Sequence, residues 1–291
     1  MKKRTLKHQV QFAGRGVHTG KKVVMNLKPS DSGRLIFRRL DLGGAELELD
    51  YRAARAESSS VLESGPVAIR TVEHLLATLY VFGIDSLEVE VTAEEIPIGD
   101  GSALPFVNLI RQAGIEFLTP EKKILKVIKP LTVEKGEARL SFFPAPDLLL
   151  SYSIDYAHPA IGHQVFHGPL RLKNFIDEIA PARTFGFLRD VPVMLERGLA
   201  RGGTLENAII LDEKGLLNPP LRYADEFVRH KMLDLIGDLA LSGRPILARV
   251  EVFSGGHSLH QLGISTLLES ESWVEVENTA PFFLAELVPG D

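Results

Sequence analysis

The sequence predicts an α+β protein made of two similar α/β sandwich domains that arose by tandem duplication, and three observations carry this. One order of elements (helix, turn, strand, glycine-rich turn, helix) occurs twice, about 155 residues apart. Strand-like stretches gather ahead of the helix in each half, so the sheets are expected to be mainly antiparallel, each covered by helices on one face. The length of 291 residues, with 45% hydrophobic and 24% charged residues, is enough for two globular domains of ordinary size.

In the first half, residues 22–28, 33–38 and 45–49 read as strands separated by polar turns. Val72, Leu75, Leu76 and Leu79 then fall on one helical face, with Thr71 as the expected N-cap. Gly83-Ile84-Asp85 turns the chain into a strand at 87–91, and Gly99-Asp100-Gly101-Ser102 is the glycine-rich turn. Residues 119–123, Thr-Pro-Glu-Lys-Lys, read as a linker.

The second half opens with strands at 124–128, 131–133, 138–143 and 148–154. Its repeat helix carries Met232, Leu235, Ile236 and Leu239 at helical spacing and stops at Ser242-Gly243-Arg244-Pro245. A strand at 246–253 leads to the turn Gly255-Gly256-His257-Ser258-Leu259. The expected domains are therefore 1–120 and 124–269, with an insert near 177–220 that interrupts the second. Beyond Arg249 there is no Lys or Arg, so 270–291, with Trp273, Phe282 and Phe283, reads as an acidic C-terminal tail.

Composition excludes several classes. There is no cysteine, hence no disulfide, thiolate metal site or cysteine nucleophile. A net charge of −5 argues against general nucleic-acid binding. No apolar run approaches the ~20 residues that span a bilayer. The basic start, Met1-Lys2-Lys3-Arg4, lacks an apolar signal core, so a cytoplasmic protein without stable membrane insertion is expected.

The chemistry-bearing residues lie on the repeated helices. His230 and Asp234, four apart, stack an imidazole and a carboxylate on one helical face, which suits a metal site as well as it suits an ordinary amphipathic helix with one histidine and solvated acids. His74 lies at a similar place on the equivalent helix, so pseudo-symmetry of the halves would bring it toward His230 and complete a His, His, Asp set with one tetrahedral position open; taken alone, an ordinary helix-end histidine is the commoner reading. Glu73 beside it is a candidate base, or simply a first-turn acid favoured by the helix dipole. His257 on its glycine turn, with Asp238 to hold its tautomer, is a candidate acid; the alternative is a solvent-exposed turn histidine and a surface acid. Thr184 is placed to donate to an oxyanion and Phe185 to pack on a sugar or acyl group, though core packing is the commoner fate of a Phe. His18, in Gly16-Val17-His18-Thr19-Gly20, sits on what is otherwise a plain β-turn.

Together these segments closely resemble one family, the zinc-dependent UDP-3-O-acyl-N-acetylglucosamine deacetylases of lipid A biosynthesis. The resemblance rests on Gly16 to Gly20, Thr71-Val72-Glu73-His74-Leu75-Leu76, Ile96-Pro97-Ile98-Gly99-Asp100-Gly101, Ala182-Arg183-Thr184-Phe185, Gly202-Gly203-Thr204, Leu221-Arg222-Tyr223, Arg229-His230-Lys231 through Asp238, and Gly256-His257-Ser258-Leu259, all collinear. It implies helices packed between two mainly antiparallel sheets. It implies Zn2+ on His74, His230 and Asp234, zinc-bound water as nucleophile, and Glu73 as general base. His257, supported by Asp238, is implied as general acid or electrostatic partner, and Thr184 as oxyanion donor. Lys231, Phe185 and His18 are implied as substrate contacts, and residues 198–210 as the wall of an acyl-chain passage. The implied partner is a UDP-sugar carrying an acyl chain, bound by a monomer.

The chain also departs from the family pattern. Ser254 stands where a Lys or Arg is usual, a residue type suited to a diphosphate, and His260 and Gln261 stand where asparagines are common. Residues 56–61, Ala-Glu-Ser-Ser-Ser-Val, also fit poorly. A zinc hydrolase acting on another amide or ester, and a non-catalytic scaffold with structural metal, are the competing expectations.

Overall fold

A computed structural model describes residues 2–218 and 220–277; Phe282 and Phe283, and with them most of the expected tail, lie outside the described residues. Alternation builds the first sheet. In Lys22–Pro29, Val23, Met25 and Leu27 point to the core while their neighbours face outward. The sheet order is Val10–Arg15, Lys22–Pro29, Leu87–Val91, Leu35–Arg39, Ala45–Glu48. Its central strand, Leu87–Val91, runs antiparallel to Lys22–Pro29 and parallel to Leu35–Arg39.

The second sheet repeats this plan. A hairpin of Leu131–Lys135 and Ala138–Phe143 lies antiparallel to Ile246–Phe253. On the other side of that strand, the hairpin of Leu148–Tyr156 and Gly162–Pro169 pairs in parallel. Hairpin, central strand and hairpin thus recur with the same directions, so the duplication read from the sequence is present as topology. Two strands extend the second copy: Ile124–Val127 beside the start of Ile246–Phe253, and Trp273–Val276 antiparallel to it. Part of the expected tail is therefore sheet.

Between the sheets run the helices Glu73–Phe82 and Glu226–Leu239, packed on each other. Every residue of the first is buried, as are most of the second. One continuous core joins Met25, Leu27, Phe37 and Val89 of the first sheet, through Leu76 and Leu233, to Leu140, Phe142 and Val250 of the second. Gly237 permits the close approach: a Cβ there would lie 2.1 Å from the Glu73 carbonyl oxygen.

Some local expectations are corrected. The first helix starts at Glu73 with Val72 in the cap position and no side-chain cap. Thr71 has left-handed φ (57°), and its hydroxyl instead donates to Glu95 Oε1 at 3.0 Å. The stretch read as linker is ordered: Ile115–Glu121 pairs with Lys2–Leu6, and Lys122 is buried against Asp85. Lys122 and Arg4 donate to the carbonyls of Gly83 and Phe82, where the helix dipole favours cations. The insert has a parallel strand pair, Phe185–Phe187 with Ile209–Leu211, and a short helix, Val191–Glu196. Among the described residues no helix is long and apolar enough to cross a membrane.

Candidate active site

Helix geometry assembles the centre. His230 and Asp234 share one face of Glu226–Leu239, and the crossing at Gly237 brings His74 from the partner helix onto that face. The imidazole rings of His74 and His230 stand 5.0 Å apart at 89°. Asp234 Oδ1 lies 3.8 Å from His74 Nε2 and 3.4 Å from His230 Nε2. All three residues are buried, and their ligand-capable atoms lie within 4.8 Å of one another.

This arrangement fits a cation. His230 Nδ1 is 3.1 Å from the Ala182 carbonyl, so it carries the proton and leaves Nε2 a bare acceptor. Asp234 Oδ1, facing it, is buried without a hydrogen-bond partner. Two acceptors pointed at each other in a dry site repel unless positive charge lies between them. Burial depresses the His74 pKa to about 3, helped by His230, and depresses that of His230 too. Both rings are therefore held in the neutral form that binds metal. Asp234 stays ionised despite burial, because the charges of Lys231 and His257 hold its pKa far below the ordinary range. Lys231 Nζ pairs with Asp234 Oδ2 at 2.9 Å, which leaves Oδ1 to the rings of His74 and His230.

Acid and base candidates flank this cluster. Glu73 Oε2 accepts from the Ser60 amide at 3.0 Å, while Oε1 lies 3.8 Å from His257 Nε2. Burial, reinforced by Asp234, raises the Glu73 pKa to about 7 against the pull of His257. For His257 burial opposes the charged ring, but Asp238, Asp234 and Glu73 outweigh it and raise the pKa to about 10. His257 Nδ1 meets Asp238 Oδ2 at 2.8 Å. The carboxyl thus titrates near neutral pH, where its ionised form can take up a proton, while the imidazole is kept charged and able to give one, a split suited to acid–base chemistry.

Of the remaining expected residues, Thr184, Phe185 and His18 line a cavity, and Lys231 is not part of its wall. Glu73 and His74 line it with them, and the wall continues through Ile98, Phe187, Val191, Met194 and Ile210. Arg183 fixes that strand by its pairing with buried Glu226 at 2.8 Å, at the start of the His230 helix. Lys231 Nζ lies 5.6 Å from the centre of the Phe185 ring. His18 is buried and its amide donates to Glu95 Oε1 at 2.8 Å. Glu95 also binds Thr19 and Thr71, stapling the His18 turn to the start of the His74 helix.

Several residues were not legible beforehand. Ser60 joins the Glu73 carboxyl to Asp238, to which its hydroxyl donates, and Gln261 donates to Ser60 Oγ at 3.0 Å. His260 and Tyr152 stand behind Asp238. None of these belongs to a local pattern; only the misfit at 56–61 and at 260–261 marked the places.

Two imidazoles and a carboxylate that together could hold a metal ion, flanked by a carboxyl that titrates near neutral pH and a charged imidazole, define an α+β protein with a candidate metal centre and candidate acid–base groups. The chain belongs to the LpxC family, UDP-3-O-acyl N-acetylglycosamine deacetylase, whose model matches residues 3–269. Among its relatives, the UDP-3-O-acyl-N-acetylglucosamine deacetylase of Nautilia profundicola is 42% identical over 276 residues, 94% of each chain. The protein of that name from Pseudomonas entomophila is 41% identical, covering 97% of this chain and 96% of its own. That from Geotalea uraniireducens is 39% identical, covering 95% and 92%.

Proposed function

We propose that this chain hydrolyses the N-acetyl group of a UDP-3-O-acyl-N-acetylglucosamine and releases acetate, using zinc at His74, His230 and Asp234. The observation that carries the chemistry is the orphaned Asp234 Oδ1 facing two imidazole Nε2 atoms, beside Glu73 and His257. The substrate is taken from the name the relatives share. Zinc held there supplies a Lewis acid for the amide carbonyl and acidifies water.

Glu73 accepts the proton of the attacking water through Oε1, since Oε2 is tied to the Ser60 amide. His257 delivers a proton from Nε2 to the glucosamine nitrogen as the tetrahedral intermediate collapses, and Asp238 stabilises the charged ring. Thr184 donates to the oxyanion, while Lys231 and Phe185 position the sugar and His18 borders the cavity. The apolar walls at Phe187, Val191, Met194 and Ile210 receive the acyl chain. At the nucleotide end Ser254 offers no charge, but Lys135 Nζ reaches the same turn, 2.5 Å from Ser258 Oγ, and supplies a cation there.

Metal analysis of the purified protein, with deacetylase assays before chelation, after it and after zinc return, tests this. Stoichiometric zinc and activity that follows it on the UDP-sugar, but not on simple N-acetyl sugars, is the expected result. A zinc-free protein with undiminished turnover, or equal turnover of simple sugars, overturns it.

A further inference from the structure

Asp238 is fully buried and holds more partners than one catalytic imidazole requires. Its Oδ1 accepts from Ser60. Its Oδ2 accepts from His257 Nδ1 at 2.8 Å and also from His260 Nδ1 at 2.7 Å. His260 follows His257 by three residues on the helix His257–Glu269, so both rings face the same carboxylate. Beyond it, His260 Nε2 lies 3.1 Å from the Tyr152 hydroxyl, on the strand Leu148–Tyr156 of the second sheet. His260 and Tyr152 are both fully buried.

The chain of donors fixes the proton positions. A carboxylate only accepts, so both rings present Nδ1–H to Asp238. Burial holds the Tyr152 phenol well above its ordinary pKa, so it is a neutral O–H that donates to His260 Nε2. Burial likewise disfavours a charged His260, against the attraction of Asp238. The resulting relay runs Tyr152 O–H to His260 Nε2, His260 Nδ1–H to Asp238 Oδ2, with Ser60 closing the other oxygen.

We infer that His260, oriented by Tyr152, is a positioning residue for the reaction: a neutral second imidazole that pins the Asp238 carboxylate so that His257 Nε2 is aimed at Glu73 and the metal cluster. The inference rests on the proposed deacetylation. Without His260, Asp238 keeps its partners at His257 and Ser60 but loses the fixed orientation of its plane, and His257 loses its aim. A merely packed histidine would need neither tautomer nor partner. An asparagine can replace the N–H donor; a leucine of similar bulk cannot.

The test combines turnover with a histidine spectrum of the zinc-loaded, full-length protein. His260→Leu is expected to lower kcat about tenfold with KM unchanged, a part of what a positioned acid contributes. His260→Asn is expected to recover most of that loss. In 15N-histidine-labelled protein His260 should show a protonated Nδ1 and an unprotonated Nε2, and Tyr152→Phe should shift the Nε2 resonance alone. Wild-type kcat in His260→Leu overturns the inference. So does a His260→Asn variant no better than Leu with its unfolding midpoint intact, or a His260 protonated at Nε2. If His260→Leu does not fold, Tyr152→Phe and the spectrum decide. A wild-type chain inactive on the UDP-sugar overturns the proposed function and the kinetic consequence, while the spectrum still decides the relay.

Discussion

Gly237 and Glu73 touch backbone to backbone: the space where a Gly237 side chain would begin lies 2.1 Å from the Glu73 carbonyl oxygen. This contact sets the distance between the helix that carries Glu73 and His74 and the helix that carries His230 and Asp234. In an isolated helix Gly to Ala gains about 1 kcal/mol. Here Gly237→Ala is expected to cost about 1–3 kcal/mol through forced separation. It should also lower zinc stoichiometry, because the ligand sets part with the helices. Thermal unfolding together with metal analysis checks both; a stabilised, fully loaded variant would refute the packing argument.

The repeated order of elements was readable because hydrophobic periodicity and glycine turns are local signals, and the central strands of both sheets, Leu87–Val91 and Ile246–Phe253, fall where it puts them, whereas the hairpin strands Val10–Arg15 and Gly162–Pro169 lay outside it. His230 and Asp234 were readable for the same reason, since a spacing of four residues places them on one face. Ser60 was not, because its partners Glu73 and Asp238 are 13 and 178 residues away and only the folded chain joins them. The Thr71 cap failed because Glu95, 24 residues on, takes the hydroxyl and Thr71 adopts a left-handed φ. Both misses turn on hydrogen bonds to residues distant in sequence, and at Thr71 such a bond overrode a local preference.

Lys231 neutralises the Asp234 oxygen that does not face the rings of His74 and His230, at 2.9 Å. Lys231→Met removes the leading cause of the low Asp234 pKa, so protons compete better for that carboxylate. Zinc affinity is expected to fall, and to fall further as pH drops, relative to wild type. Competition with a fluorescent chelator at several pH values measures this. Equal affinities across the range would separate Lys231 from the metal site.

Met194 and Val191 line the same cavity as Glu73 and His74. Met194→Trp adds bulk where the acyl chain is proposed to lie. Its kcat/KM is expected to fall about tenfold for a long-chain substrate and little for one with a short chain, the scale that a few methylenes in an apolar pocket allow. Loss of equal size on both substrates would place the chain elsewhere.

With Glu73 as the proposed base and His257 as the proposed acid, the two are expected to set the pH profile. A base acts as a carboxylate, so activity is expected to rise as pH rises through the Glu73 pKa. Burial lifts that pKa from 4.5 to about 7 without metal, and a bound dication draws it back down, so the acid limb is expected between these values. As the proposed acid, His257 acts as an imidazolium, so activity is expected to fall as pH rises through its pKa, raised from 6.5 to about 10 mainly by Asp238 against the cost of burial. The same dication lowers this one too, which places the alkaline limb between 6.5 and about 10. Glu73→Gln should retain zinc, lose at least about a hundredfold in kcat and lack the acid limb. His257→Gln should retain zinc and lack the alkaline limb. Profiles of kcat/KM from pH 4 to 11 for the three proteins decide it, and a Glu73→Gln variant that keeps the wild-type acid limb would remove Glu73 from the role of base.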